Sequence, residues 1–197
     1  AILQESSGFH AMCKKLLGEN VAVLEQTIQL LDPRQVSRAV DLLRRSRRVV
    51  CMGQGSSMVL SEEAWTLFST VSPKFLFVPD SHLQMNTLAL MDPDELVLFF
   101  SYSGSTRDFQ DLLEVARQRQ VKVVLVSRFP KSPGGQLADV VLQCGADEGP
   151  LQAGSVNARM AQLFVLDVLF QEFCMRAPEE TEQSREQIAE AVARKHL

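Results

Sequence analysis

Five short runs at residues 49–52, 75–78, 96–100, 121–126 and 140–142 consist almost wholly of apolar, β-favouring side chains. They alternate with stretches of helical periodicity. A strand without polar alternation has both faces covered, and strands separated by helices pair in parallel through right-handed crossovers. The pattern predicts a doubly wound, flavodoxin-like α/β fold: a five-stranded parallel sheet flanked by helices at 57–69, 81–90, 107–119 and 155–175. A length of 197 residues suits one such core and not two.

Two helices precede the first strand. Met12, Leu16, Leu17, Val21, Leu24, Ile28 and Leu31 recur at helical spacing, which predicts an extra N-terminal amphipathic helix, additional to the α/β core, whose excess apolar surface needs a partner. Asp32-Pro33 ends that helix and opens the next, as N-cap and first helical residue, and Val36, Ala39, Val40 and Leu43 form the second helix's buried stripe. The polar stretch after Pro178 has only Ile188, Ala189 and Val192 as an apolar line and reads as a surface helix or subunit arm. The chain is thus expected to divide into a leading helix or linker arm (1–33), a ligand-binding domain (34–176) and a helical tail (177–197).

A net charge of −4 argues against a broad basic surface for nucleic acid. The densest basic cluster, Arg44, Arg45, Arg47 and Arg48, falls at a helix end, where cations complement the dipole. Cys13, Cys51, Cys144 and Cys174 lack metal-ligand spacing, and no stretch looks like a secretory signal, so a reducing cytoplasm is the expected location. Asp167, Gln171 and Glu172 interrupt the apolar run at 163–173, which predicts a buried helix and not a membrane span. That helix is apolar around much of its circumference, so Leu163, Leu166, Phe170 and Phe173 are expected to divide between the core and a contact with a second copy.

Ligands of open α/β sheets bind beyond the carboxyl ends of the strands, near the point where strand order reverses. The loop after the first strand reads Gly53-Gln54-Gly55-Ser56-Ser57. Its glycines allow close backbone approach, and a helix N-terminus follows. The loop after the third strand, Ser101-Tyr102-Ser103-Gly104-Ser105-Thr106, sets three Ser hydroxyls and one Thr hydroxyl around a glycine before another helix. Either loop alone could be ordinary helix capping; the two together predict a cradle for a phosphate, bound by neutral donors. Nucleotide motifs fit less well: no GxxxxGK[ST] loop is present, and Met58 stands in the GxGSS loop's neighbourhood without the third glycine of a dinucleotide fingerprint.

These two loops resemble the sugar isomerase (SIS) domain, a phosphosugar-binding module. Further similarity lies in Asp80-Ser81-His82, Ser132-Pro133, Leu137-Ala138-Asp139, Ser155, Arg159-x-Ala161-Gln162-Leu163 and Asp167-x-Leu169-Phe170. With the long leading helix, the chain resembles, over nearly its whole length, the effector domain of RpiR-type bacterial transcription regulators. The resemblance implies that Ser56, Ser57, Ser101, Ser103 and Thr106 hold the sugar phosphate, with Gly53, Gly55 and Gly104 shaping the loops and Tyr102 and Ser105 in variable slots. It places His82 and the segment 147–155, Glu148 included, toward the sugar. It also implies a sugar phosphate effector, self-association as a homodimer or tetramer, operator DNA bound only through a helix-turn-helix domain that this sequence lacks, and no membrane, metal or cofactor.

The competing reading is a phosphosugar isomerase or lyase. Aldose-ketose isomerisation needs a base and a second proton-transferring group. Isomerases of this fold often carry Lys in the first loop and Glu in the variable slot of the second; Ser56 and Ser105 stand there instead. His82, Asp147 and Glu148 are the remaining acid/base candidates. The expectation is a sensor with no catalytic residue.

Overall fold

The computed structural model describes residues 2–145 and 155–193, with side chains from residue 7 onward. Helices α1 (Ile2–Leu30) and α2 (Pro33–Arg45) lead into strand β1 (Val49–Gly53). Then follow α3 (Met58–Phe68), β2 (Phe75–Phe77), α4 (Ser81–Ala89), β3 (Leu96–Phe100), α5 (Arg107–Gln118), β4 (Lys122–Ser127), α6 (Pro133–Leu137), β5 (Val140–Gln143), α7 (Val156–Met175) and α8 (Pro178–Ala193). The five strands are all parallel in the order β2-β1-β3-β4-β5, so strand order reverses between β1 and β3. This is the doubly wound fold that the alternation predicts. The five-residue α6 is missing from the sequence reading because Gly134 and Gly135 weaken its helical pattern.

Successive strand residues point to opposite faces, and each face has its own apolar layer. Val49, Cys51, Leu98 and Phe100 pack with α2, α3 and α7, where Phe68 stacks on Phe75 at 4.3 Å between ring centroids. Val50, Met52, Val97 and Phe99 pack under α4 and α5, where Phe99 stacks on Phe109 at 4.1 Å. The register runs level from Val49 opposite Leu96 to Gly53 opposite Phe100, so the β1 and β3 loops leave the sheet side by side.

On helix α1, Met12, Leu16, Leu17, Val21 and Ile28 are exposed, whereas Val23 and Thr27 are buried. The contact face of α1 is the line Asn20, Val23, Thr27 and Leu30, spaced three or four residues apart and laid against α7. Phe9, Cys13 and Leu16 continue that line toward the amino end of the helix but are exposed. In the last helix, Leu166, Phe170 and Phe173 are buried within the domain and Leu163 is half-buried. Helix α8 is a surface helix with Thr181 its one buried residue among those described. No described helix is long and apolar enough to cross a membrane.

Arg44 and Arg45 stand in the last turn of α2 as expected, while the other two arginines of the cluster do something else. Arg47 and Arg48 lie past the end of α2, where they meet the acidic turn before β3. Arg47 bonds Asp94 at 2.9 Å and approaches Asp92 and Glu95 at 3.3 Å. Arg48 donates to Glu95 at 3.0 Å, and the amide of Asp92 donates to the same carboxylate at 2.8 Å. Glu95 is 2 % exposed. Arg44 sits over the Phe173 ring and pairs with Glu180 at 3.3 Å, joining α2 to α8.

Candidate functional site

The two loops meet at the switch point. In the first, a side chain at position 53 would lie 2.5 Å from Ser61 Oγ and 2.7 Å from the Ser57 carbonyl, and Gly55 has φ +56°. Both glycines are therefore required by the turn that lifts Ser56 and Ser57 to the start of α3. In the second loop, Gly104 has φ +60°, and a Cβ there would run into Ser132 Oγ. Its carbonyl accepts from the Gly134 amide at 2.9 Å, tying the loop to α6.

The hydroxyls divide into two sets. Ser101 is buried and accepts from the Gly104 amide at 3.1 Å, which shapes the turn. Ser56, Ser103, Ser105 and Thr106 are exposed at the mouth, and Ser57 is half-buried. Ser105 donates to the Ser103 carbonyl at 3.0 Å. Neither Ser57 nor Thr106, the N-cap residues of α3 and α5, spends its side chain on its helix. Thr106 instead donates to Gln54 Oε1 at 3.4 Å and so bridges the two loops across the β1–β3 gap. Two helix N-termini and exposed hydroxyls thus lie side by side at the switch point, an arrangement whose dipoles and neutral donors suit an anion.

Tyr102 behaves unlike its neighbours. Its ring packs edge-to-face on Phe129 at 6.3 Å and lies against Gly145, where an added Cβ would be 2.6 Å from the phenolic oxygen. His82, in the first turn of α4, is exposed and lines a cavity of about 230 Å³ with Gln54, Ser81, Met85, Asp108 and Asp111. The cavity adjoins the loops through Gln54. Asp80 caps α4 by accepting from the Leu83 amide at 2.9 Å. Asp147 and Glu148 lie outside the described residues.

Gln84 is a residue that sequence reasoning missed. It is fully buried, and its Nε2 donates to the carbonyls of Gly53 and Val78, both at 2.9 Å, clamping the ends of β1 and β2 beneath the first loop. The signal was a glutamine on the inward side of α4, four residues after the Asp80 cap. Gln84→Leu is expected to leave both carbonyls unpaired and to lower unfolding free energy by about 1–3 kcal/mol, read from urea denaturation.

Among the described residues no group of three His, Cys, Asp or Glu side chains is placed to hold a metal ion. Burial pushes the Cys51 thiol upward and the Cys144 thiol to about 12, so neither supplies a thiolate at neutral pH.

Comparison with known proteins gives a consistent picture. The SIS domain family model matches residues 42–171. A helix-turn-helix transcriptional regulator of Haemophilus influenzae is 30% identical over 81% of this chain and 55% of its own length. The RpiR regulator of Escherichia coli K12 is 27% identical over 69% of this chain and 46% of its own. The chain thus spans about half the length of these curated relatives. Among solved structures, the Vibrio vulnificus NanR protein complexed with ManNAc-6P superposes with a TM-score of 0.87 at 25% identity, covering 92% of this chain and 69% of that one.

Proposed function

This chain belongs to the SIS-domain family, and from that premise we propose that it is the phosphosugar-sensing effector and oligomerisation domain of a bacterial transcription regulator of carbohydrate metabolism. One observation carries the reading: two hydroxyl-rich helix N-termini, joined by the Thr106–Gln54 contact, converge at the switch point of a sheet whose curated relatives are transcription regulators. Ser56, Ser57, Ser103 and Thr106 bind the phosphate, with Ser101 and Gly53, Gly55 and Gly104 holding the loops in shape and Ser105 at the rim. His82 contacts the sugar hydroxyls, and Glu148 is assigned to the same end of the ligand. Residues 34–176 form the sensing domain, 1–33 its arm and 177–197 its tail.

Ligand binding biases how paired DNA-binding domains are held, because it favours one arrangement of the effector domains over another. Operator DNA is contacted through a helix-turn-helix domain and not through this region. The test uses one preparation with and without such a domain joined ahead of residue 1. ManNAc-6P and a panel of other sugar phosphates should stabilise both, operator affinity should exist only in the longer form, and ligand should change it. Aldose and ketose phosphates should remain unconverted after prolonged incubation; turnover lost on substituting His82 would replace this reading with the isomerase one.

Self-association is assigned to α1, whose apolar line through Phe9, Cys13 and Leu16 is left exposed by the described residues of its own chain. A two-fold pair of domains would bury it. Sedimentation at micromolar concentration should give a dimer or tetramer, and Phe9→Asp with Leu16→Asp should shift it toward monomer; a wild-type monomer at every concentration would refute this assignment.

A further inference from the structure

The phosphate loop is physically joined to the leading helix, and the junction runs through residues with no place in the phosphate cradle. Thr27 is fully buried on α1, between apolar neighbours on the contact face. Its Oγ1 donates to the Val23 carbonyl at 2.7 Å and accepts from the amide of Gly145, 118 residues away, at 3.1 Å. Gly145 lies just past β5 with φ +92°, and Tyr102 of the phosphate loop presses on it so closely that no side chain fits there. Ser127, also fully buried, holds Tyr102 and the residue before Gly145: its hydroxyl donates to the Tyr102 carbonyl at 3.0 Å, and its own carbonyl accepts from the Cys144 amide at 3.0 Å.

The β3 loop, the ends of β4 and β5, and α1 therefore converge on one tightly packed point. Any rearrangement of Ser101-Tyr102-Ser103 around an anion must either carry the Tyr102 ring with it or strain it against Gly145. A displaced Gly145 must either drag Thr27 or give up a buried hydrogen bond. We infer that the Tyr102–Gly145–Thr27 contact transmits occupancy of the phosphate cradle to helix α1, making Thr27 and Tyr102 positioning residues that couple ligand to the arm. The inference rests on the phosphosugar reading of the cradle for its ligand, while the mechanical link itself exists in the free protein.

Amide hydrogen exchange resolved by residue tests both. In the free protein, Thr27→Val, which removes the acceptor but keeps the shape, and Tyr102→Phe, which trims the packing on Gly145, should each speed exchange at Gly145 and across residues 20–30. The expected factor for Thr27→Val is roughly tenfold, as for loss of one buried hydrogen bond; Thr27→Ser, which restores the hydroxyl, should return the wild-type rate. With ManNAc-6P or inorganic phosphate as probe, wild-type protein should show protection in the 101–106 loop together with a changed rate in residues 20–30. Thr27→Val should keep the first effect and lose the second.

Loop protection with unchanged α1 amides in the wild type would overturn the inference and leave the phosphosugar reading standing. Failure of every sugar phosphate and of phosphate to protect the loop would count against that reading instead, and the link would then be decided by the free protein. There, wild-type rates at Gly145 and in residues 20–30 of the Tyr102→Phe and Thr27→Val variants would overturn it.

Discussion

Replacing Ser57 and Ser103 with alanine in one chain is expected to abolish stabilisation by sugar phosphates while leaving the fold intact. In the proposed site each hydroxyl comes from a different loop; Ser57 does not cap α3, and Ser103 accepts an exposed bond from the Ser105 amide at 3.3 Å that the fold does not depend on. A hydrogen bond to a charged group is worth about 1.5–3 kcal/mol, so losing two weakens binding by roughly 100-fold or more. Thermal-shift and calorimetric titration of wild type and double variant checks this, with urea denaturation to show unchanged stability. An undiminished response would move the phosphate away from these two loops. Ser101→Ala should behave differently, lowering stability as well as affinity, because Ser101 accepts the Gly104 amide inside the turn.

The second large effect lies at the opposite end of the same two strands. Glu95→Ala should destabilise the domain by about 2–4 kcal/mol without altering affinity for ligand. Removing one member of a buried ion pair costs about 3–5 kcal/mol, and Arg48 is 35% exposed, so water recovers part of the loss. The carboxylate takes bonds from Arg48 and the Asp92 amide where the amino ends of β1 and β3 begin to pair. Glu95→Gln, which keeps an acceptor for the Asp92 amide, should cost less. Urea midpoints of the two variants decide the point; equal stability of Glu95→Ala and wild type would mean that the network is only a surface arrangement.

The sheet was legible because its signal is a property of the chain itself: strands buried on both faces must be apolar throughout, and Leu96–Phe100 or Lys122–Ser127 can hardly be read otherwise. The two glycine-serine loops were legible for a similar reason, since turns that exclude a Cβ leave glycine in the sequence. What could not be read depends on tertiary partners. The stripe Leu17, Val21 and Ile28 looks like a packing face of α1, but α7 meets the helix along Val23 and Thr27 instead, and no periodicity distinguishes adjacent faces that are both partly apolar. Gln84 and Glu95 are polar residues whose burial follows from partners far along the chain: Gly53, 31 positions away from Gln84, and Arg48, 47 positions away from Glu95. The local reading of the arginine cluster holds for Arg44 and Arg45 at the end of α2, whereas Arg47 and Arg48 find acidic partners in the turn before β3.

Helix α1 has 29 residues, a rod of about 44 Å, and among its described side chains those buried or half-buried fall between Asn20 and Leu30. The helix continues for 18 residues ahead of that stretch, Ile2 to Glu19, a length of about 27 Å, and its side chains from Ser7 to Glu19 are exposed. That geometry gives a long lever with its fulcrum at Val23 and Thr27. Tilting the rod by about 5° there would sweep its tip at Ile2 through about 3 Å, for a movement of a few tenths of an ångström at the fulcrum. A shift at the base too small to break a single hydrogen bond would thereby be amplified into a displacement of ångströms at the tip.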